Sequence, residues 1–168
     1  TLNMTPVENL TYETEYNDDF ASADQLLPGE PIFGQLIDTF DWDVFEITAA
    51  SAGTISINFD SPTDTPYYNS FFVGLYDERG DLIARQYSGT DFELTSGIDT
   101  AGTYYAAVNA GEFFTSSEYS LTLSTTFNTD FDQEIEFNDT NLFSNTITSG
   151  RQVKGQLQSE FDWDVFKL

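Results

Sequence analysis

Apolar and polar residues alternate along Thr54-Ile55-Ser56-Ile57-Asn58-Phe59 and again along Tyr119-Ser120-Leu121-Thr122-Leu123. This period of two belongs to strands with one buried and one solvated face. Short runs of the same kind, rich in β-branched and aromatic residues and separated by turn signals, occupy residues 32–37, 44–48, 53–59, 71–76, 82–87, 92–95, 103–108 and 119–125. About eight such strands predict an all-β chain folded as an antiparallel sandwich. Between two of the runs, Asp77-Glu78-Arg79-Gly80-Asp81 reads as a hairpin loop in which Gly80 supplies the positive φ. Residues 1–12 are polar and carry Pro6, as expected of a linker or an added edge strand, and residues 61–69 form the longest polar break.

Residues 13–47 recur as 134–168 at a constant offset of 121 without a gap. Glu13, Glu15, Asn17 and Asp18 fall on Glu134, Glu136, Asn138 and Asp139, and Gly34-Gln35-Leu36 falls on Gly155-Gln156-Leu157. Phe40-Asp41-Trp42-Asp43-Val44-Phe45 is repeated identically at 161–166. The period lies far beyond the roughly 20 to 50 residues of solenoids, so the pattern is that of arrayed domains. The organisation expected is a complete sandwich at 13–126, an extended acidic linker at 127–133 and the N-terminal part of a second copy at 134–168. The second copy stops before the strands that would complete a sandwich, leaving Phe137, Leu142, Phe143 and Val165 without a core of their own. Either the chain is cut within a domain, or this part caps its own first domain or completes a neighbouring chain by strand addition.

Composition narrows the chemistry. The 168 residues are 39% apolar and 16% aromatic, enough for a proper core. They carry 29 Asp and Glu against 5 Lys and Arg, a formal net charge of −24. Phosphate backbones and anionic membrane surfaces require the opposite sign, so neither nucleic acid nor membrane insertion is expected. Self-repulsion at this charge weakens the compact state unless salt or bound cations screen it, which suits sea water or an extracellular medium. Cysteine and histidine are both absent, which removes disulfides, thiolate sites, the usual zinc ligand and any Ser-His-Asp triad. No run approaches a membrane span, and the first residues lack the basic and apolar regions of a signal peptide, as expected of a mature or excised piece.

Glu13-Thr-Glu15-Tyr-Asn17-Asp18 places hard oxygen donors at alternate positions, which in an extended segment project to one side. A second acidic group, Asp38, Asp41 and Asp43, lies between two predicted strands and meets the first if the segments pack together. Calcium takes six to eight oxygens from carboxylates, amides and carbonyls at roughly 2.3–2.6 Å, and the two groups can supply them. The alternative is a solvated acidic face, unsurprising in so acidic a chain.

Glu13-x-Glu15-x-Asn17-Asp18, Gly34-x-Leu36, Asp41-x-Asp43-x-Phe45 and Gly102-Thr103-Tyr104-Tyr105, in that order, resemble the bacterial pre-peptidase C-terminal domain family, which includes the collagen-binding domains of clostridial collagenases. The resemblance implies a jelly-roll-like β-sandwich, non-catalytic, appended to secreted or cell-surface bacterial proteins. It also implies calcium ligands at Glu13, Glu15, Asn17, Asp18, Asp38 and Asp41, with the Phe33 carbonyl. Asp43 matches the motif as well, either as a ligand or through a bond to the loop backbone. A weaker second site would use Glu134, Glu136, Asn138, Asp139, Asp162 and Asp164, weaker because Asp38 is matched by Ser159 and Phe33 by Lys154.

Three further readings bear on partners. Tyr67, Tyr68, Phe71, Phe72, Phe113, Phe114 and Tyr119 either fill the sandwich or make a stacking surface for an extracellular protein or polysaccharide. Ala106, Ala107, Asn109 and Ala110 follow the Tyr-Tyr pair where collagen-binding members carry more aromatics, which argues against collagen. Asn3, Asn9 and Asn138 stand in short glycosylation sequons. Paired carboxylates can hydrolyse glycosides, but acids packed this densely call for a cation, so no enzyme is expected. The partners expected are neighbouring domains of a parent protein and, in an adhesive or structural repeat, a further copy bound through 134–168.

Overall fold

A computed structural model of the chain describes residues 10–62, 69–127, 131–157 and 161–168. The expectations for residues 1–9, Tyr67, Tyr68 and Ser159 lie outside these. The eight sequence runs all appear as strands, joined by short pairs that the alternation does not reveal. In chain order they are β1 (Thr11–Tyr12), β2 (Asp24–Gln25), β3 (Ile32–Gly34), β4 (Trp42–Ala49), β5 (Gly53–Asp60), β6 (Phe71–Asp77), β7 (Leu82–Ser88), β8 (Phe92–Ile98), β9 (Gly102–Ala110) and β10 (Tyr119–Phe127).

These ten strands form two five-stranded sheets packed face to face, ordered β1-β3-β10-β5-β8 and β2-β4-β9-β6-β7. The central pairs are antiparallel, with Ile57 opposite Leu123 and Leu94, and Phe45 opposite Ala106. The outer pairs β1–β3 and β2–β4 are parallel, so the sheets are mixed, whereas the sequence reading expects purely antiparallel ones. Parallel pairing follows because the segment at 11–25 runs alongside the edges of both sheets in one direction. Alternate residues of each strand meet in one core, including Ile55, Ile57, Phe59, Leu121 and Leu123 from one sheet and Phe45, Ile47, Phe71, Val73, Leu75 and Val108 from the other. Each large side chain buried there stabilises the fold by about 1.5–3 kcal/mol. The hairpin is as expected, with Gly80 at φ +83 and its N–H donating to the Asp77 carbonyl at 3.0 Å.

The strand expected at 32–37 ends at Gly34. Beyond it the backbone serves carboxylates instead of a neighbouring strand: the Gln35 N–H donates to Glu13 Oε1 (2.5 Å) and the Ile37 N–H to Asp41 Oδ2 (2.6 Å).

The second unit repeats this opening arrangement. β11 (Phe131–Gln133) pairs in parallel with β13 (Gln152–Lys154), and β12 (Asn145–Thr146) with β14 (Phe166–Lys167). Asp24 opposite Phe45 becomes Asn145 opposite Phe166, the same register 121 residues on. Residues 131–133 are therefore a strand of the second unit, where the sequence reading places linker. This unit lies on the edge of the first. The Gly97 N–H donates to the Glu134 carbonyl (2.7 Å), the Thr95 N–H to Gln156 Oε1 (3.0 Å), and Gln156 Nε2 to the Glu93 carbonyl (2.9 Å). Arg85 stands 5.4 Å from the Phe137 ring centre. A Cβ at Gly97 would lie 2.5 Å from the Glu134 carbonyl oxygen, so glycine is what permits the approach. The apolar face of the second unit stays open: Leu157 is 66% exposed where its equivalent Leu36 is 0%.

Candidate metal centre

The segment after β1 crosses from one sheet to the other and is tied to both. The Glu13 N–H donates to the Phe33 carbonyl (2.9 Å), the Thr14 N–H to Asp24 Oδ2 (2.5 Å), and the Val44 N–H to the Asn17 carbonyl (3.0 Å). These bonds fix the acidic residues between the sheet edges. Carboxylate oxygens of Glu13, Glu15 and Asp43 lie within 4.8 Å of one another. Asn17 is wholly buried beside them, with neither Nδ2 nor Oδ1 hydrogen-bonded, and Asp43 Oδ1 is likewise buried without a partner. Asp43 Oδ2 accepts the Tyr119 hydroxyl at 2.5 Å, so its partner is this tyrosine and not the loop backbone.

Gly34 makes the cluster compact. A Cβ there would collide with the Tyr119 hydroxyl and lie 2.7 Å from Glu13 Oε2. The Gly-Gln-Leu triplet thus has three jobs: Gly34 admits the tyrosine and the carboxylate, Gln35 donates its N–H to Glu13, and Leu36 is fully buried in the core.

Asp18, Asp38 and Asp41 form an outer tier. Asp41 is buried, its Oδ2 taken by the Ile37 N–H, and burial, with Asp18 crowding it, raises its pKa. Asp38 Oδ1 accepts the Phe40 N–H (2.7 Å) and shapes the loop. The Phe33 carbonyl is engaged by Glu13 in the ladder, leaving one lone pair.

The electrostatics follow from burying like charges together. Burial, with repulsion from Glu15, pushes the Glu13 carboxyl up to about 7. Burial, with repulsion from Glu13, Asp41 and Glu15, pushes Asp43 up to about 8 against the pull of the Tyr119 hydrogen bond. Glu15 and Asp41 are raised for the same first reason. Carboxylates this close, with Asp43 buried, Glu13 half-buried and Glu15 exposed, either keep protons or hold a cation.

The second unit has an equivalent cluster, Glu134, Glu136 and Asp164, whose oxygens also lie within 4.8 Å. Asn138 is again wholly buried, donating from Nδ2 to Glu134 Oε2 at 3.4 Å, which puts its glycosylation sequon out of reach. Glu134 Oε1 accepts the Gln156 N–H, while Glu136 Oε1 and Asp164 Oδ1 are buried without partners. Burial pushes Glu134 to about 7 and Glu136 to about 8. Asp139 Oδ1 accepts the Trp163 N–H (3.2 Å), and Asp162 adds repulsion at Glu136. The Lys154 ammonium does not enter this cluster: it sits 3.7 Å from the Phe131 ring centre. No counterpart of Tyr119 faces Asp164 among the described residues.

Two acidic clusters that could hold a metal ion thus occupy matched positions. Their donors are all hard oxygens, several with unused lone pairs, which fits calcium better than a transition metal. Sequence reasoning reached the acids but missed Tyr119 and the roles of Gly34 and Gln35. The recurrence of Gly-Gln-Leu in both copies was the available signal for the last two; nothing local marked Tyr119.

Of the aromatics considered for a ligand surface, Phe71 and Tyr119 are core residues packed against Phe59 with ring centres 5.0 and 5.5 Å away, Tyr119 stacked and Phe71 tilted. Phe72 is buried too, while Phe113 and Phe114 are about two-fifths exposed, at 42% and 40%.

No family model matches the chain, and no curated protein does. Among solved structures the chain is similar to the pre-peptidase C-terminal domain of collagenase from Bacillus anthracis, at 23% identity and a TM-score of 0.47, over 61% of this chain and 94% of that one. At that identity and score the likeness carries no statement about function. No helix of the described residues is long and apolar enough to cross a membrane.

Proposed function

We propose that the chain is a non-catalytic, calcium-stabilised β-sandwich module of an exported bacterial protein. The observation that carries this reading is the carboxylate cradle of Glu13, Glu15 and Asp43 with the buried, unpartnered Asn17 and Asp43 Oδ1, and its recurrence at Glu134, Glu136 and Asp164. Asp18 and Asp41, with Asp38 behind them, extend the cradle outward, and Asp139 and Asp162 do so in the second copy. Calcium supplies positive charge there, replacing protons that the acids otherwise retain at neutral pH. The residues themselves pin the segment 13–18 to both sheets, so the ion fixes a domain junction in a chain of net charge −24. The motif resemblance supports an exported, accessory role beside catalytic or adhesive domains. A hydrolytic role is disfavoured because Asp43 is wholly buried, out of reach of a substrate bond.

The test is a thermal melt with calcium and with chelator. Saturation at a hundred times the dissociation constant adds about 2.7 kcal/mol. Glu15→Ala combined with its counterpart Glu136→Ala abolishes the rise; identical curves with calcium and chelator overturn the proposal.

A second reading is favoured by the open face of the second unit, where Trp163 is 72% exposed and Leu157 66%. It is a structural or adhesive repeat whose second unit completes a neighbouring chain by strand addition in an extracellular filament. Light scattering separates the two: a stalk module stays monomeric with calcium, whereas an assembling subunit forms oligomers that deletion of residues 134–168 removes.

A further inference from the structure

The outer face of the second sheet carries a feature that the metal centre does not use. Alternation puts Trp42 and Val44 of β4, Tyr105 and Ala107 of β9, and Tyr76 of β6 on the side away from the core. The two small or branched residues, Val44 and Ala107, lie next to each other in register and are buried, at 3% and 2% exposure. Phe20, from the loop that follows the acidic segment, folds over this face. Its ring stacks on Tyr105 at 4.1 Å and 4°, and lies 6.0 Å from Tyr76. The result is a cup floored by Val44 and Ala107, walled by Phe20, Trp42 and Tyr76, and rimmed by Asp18 and Asp19.

Each wall is held in place. Trp42 meets Phe72 edge-on at 5.8 Å, and a Cβ on Gly74 would come within 2.9 Å of both the Phe72 and Tyr76 rings, so glycine lets the two rings lean in. On the rim, Asp19 Oδ1 accepts the Ala21 and Ser22 N–H groups (2.9 and 3.0 Å) and the Ser22 hydroxyl (2.9 Å), fixing the carboxylate while Oδ2 has no partner among the described residues. The second unit has Thr140 and Asn141 where Asp19 and Phe20 stand, so the cup belongs to the first unit and is not a by-product of the duplication.

Three aromatic rings around an apolar floor, with two carboxylate residues among the lining, match a weakly hydrated organic cation. Aromatic rings attract a cation through their negative faces, and the floor offers no acceptor to a strongly hydrated ammonium. A guanidinium can stack flat on a ring while its edge donates to the rim acids, and the chain's own Arg85, on the same sheet face beyond Tyr76, lines the neighbouring depression and not this one. We infer that this cup is a binding site for an arginine side chain presented by a partner protein. It is separate from the proposed metal reading except at Asp18.

The test is titration of the full chain, in saturating calcium so that the acidic cluster is not a competing site, with three capped amino acids: N-acetyl-arginine amide and its lysine and citrulline counterparts. Trp42 fluorescence reads binding in a Trp163→Phe background. Arginine should produce a saturable millimolar response, with lysine and citrulline weaker by about threefold or more. Tyr76→Ala should remove the response, and Asp19→Asn, which keeps an acceptor for the turn, should weaken it by about threefold. A variant that melts early is set aside, because the wild-type series decides alone. No saturable response, or an equal response to lysine or citrulline, overturns the assignment. A response that survives both Tyr76→Ala and Asp19→Asn overturns the location.

Discussion

Replacing Asp43 by asparagine should move stability in opposite directions with and without calcium. Asp43 is wholly buried against Glu13 and Glu15, and its carboxyl stands near 8 against an ordinary value of 3.8. At pH 7 a cation-free fold must therefore hold a proton that the unfolded chain releases, a penalty on the order of a few kcal/mol. Asparagine is of the same shape, carries no charge, and keeps an oxygen to accept the Tyr119 hydroxyl. In chelator the variant should gain about 1–2 kcal/mol, which for a chain of this length raises the melting temperature by about 2–8 °C. With calcium the sign reverses. A hundredfold loss of affinity, reasonable for one of three close carboxylates, cuts the gain at the same calcium concentration from about 2.7 to about 0.4 kcal/mol. The pH profile supplies a check. Because the folded values of Glu13 and Asp43 are raised, the stability they contribute without calcium is fully present below about pH 4 and is lost as pH rises through about 7 to 8. Asp43→Asn should flatten that slope. Calorimetric melts at several pH values, with calcium and with chelator, read all three effects. A lower melting temperature in chelator, or an undiminished calcium response, would refute the reasoning.

Gly34→Ala drives a methyl group against Tyr119 and Glu13; it should cost about 1–3 kcal/mol and weaken calcium binding together, read by melting and titration calorimetry. Gly97→Ala should lift the second unit off β8, speeding amide exchange in 131–157 by about tenfold while core amides of β5 and β10 keep their protection. Calcium affinity should fall on acidification from about pH 8 to about pH 5, with protons released on binding, as titration in buffers of different ionisation enthalpy would report.

The alternation at 53–59 and 119–125 made the central strands legible, because their burial is one-sided and long enough to repeat. β2 was illegible: Asp24–Gln25 is two polar residues whose pairing with Phe45 and Glu46 depends on the whole segment lying along a sheet edge. The acids of the cradle were readable from their spacing, but not which of them meet. Asp41 is spent on the Ile37 N–H while Asp43 turns inward, a choice set by the alternation of β4. Tyr119 lies 76 residues from Asp43, and no local pattern carries a contact of that span. Lys154 was expected to oppose a second cation, but an aromatic ring beside it offered its ammonium another position.

The bonds that shape the cradle are short-range in sequence. Glu13 to Gln35 spans 22 residues, Thr14 to Asp24 spans 10, and the second copy repeats both spans with no counterpart of β9 or β10 among its described residues. The sheets around the cradle close over much longer loops, as Tyr119 to Asp43 shows. The cradle is thus a low-contact-order island in a high-contact-order fold, able to form before the sandwich shuts. A cation captured there acts on the folding transition state, so calcium should speed refolding as well as slow unfolding, a difference that stopped-flow chevrons resolve directly.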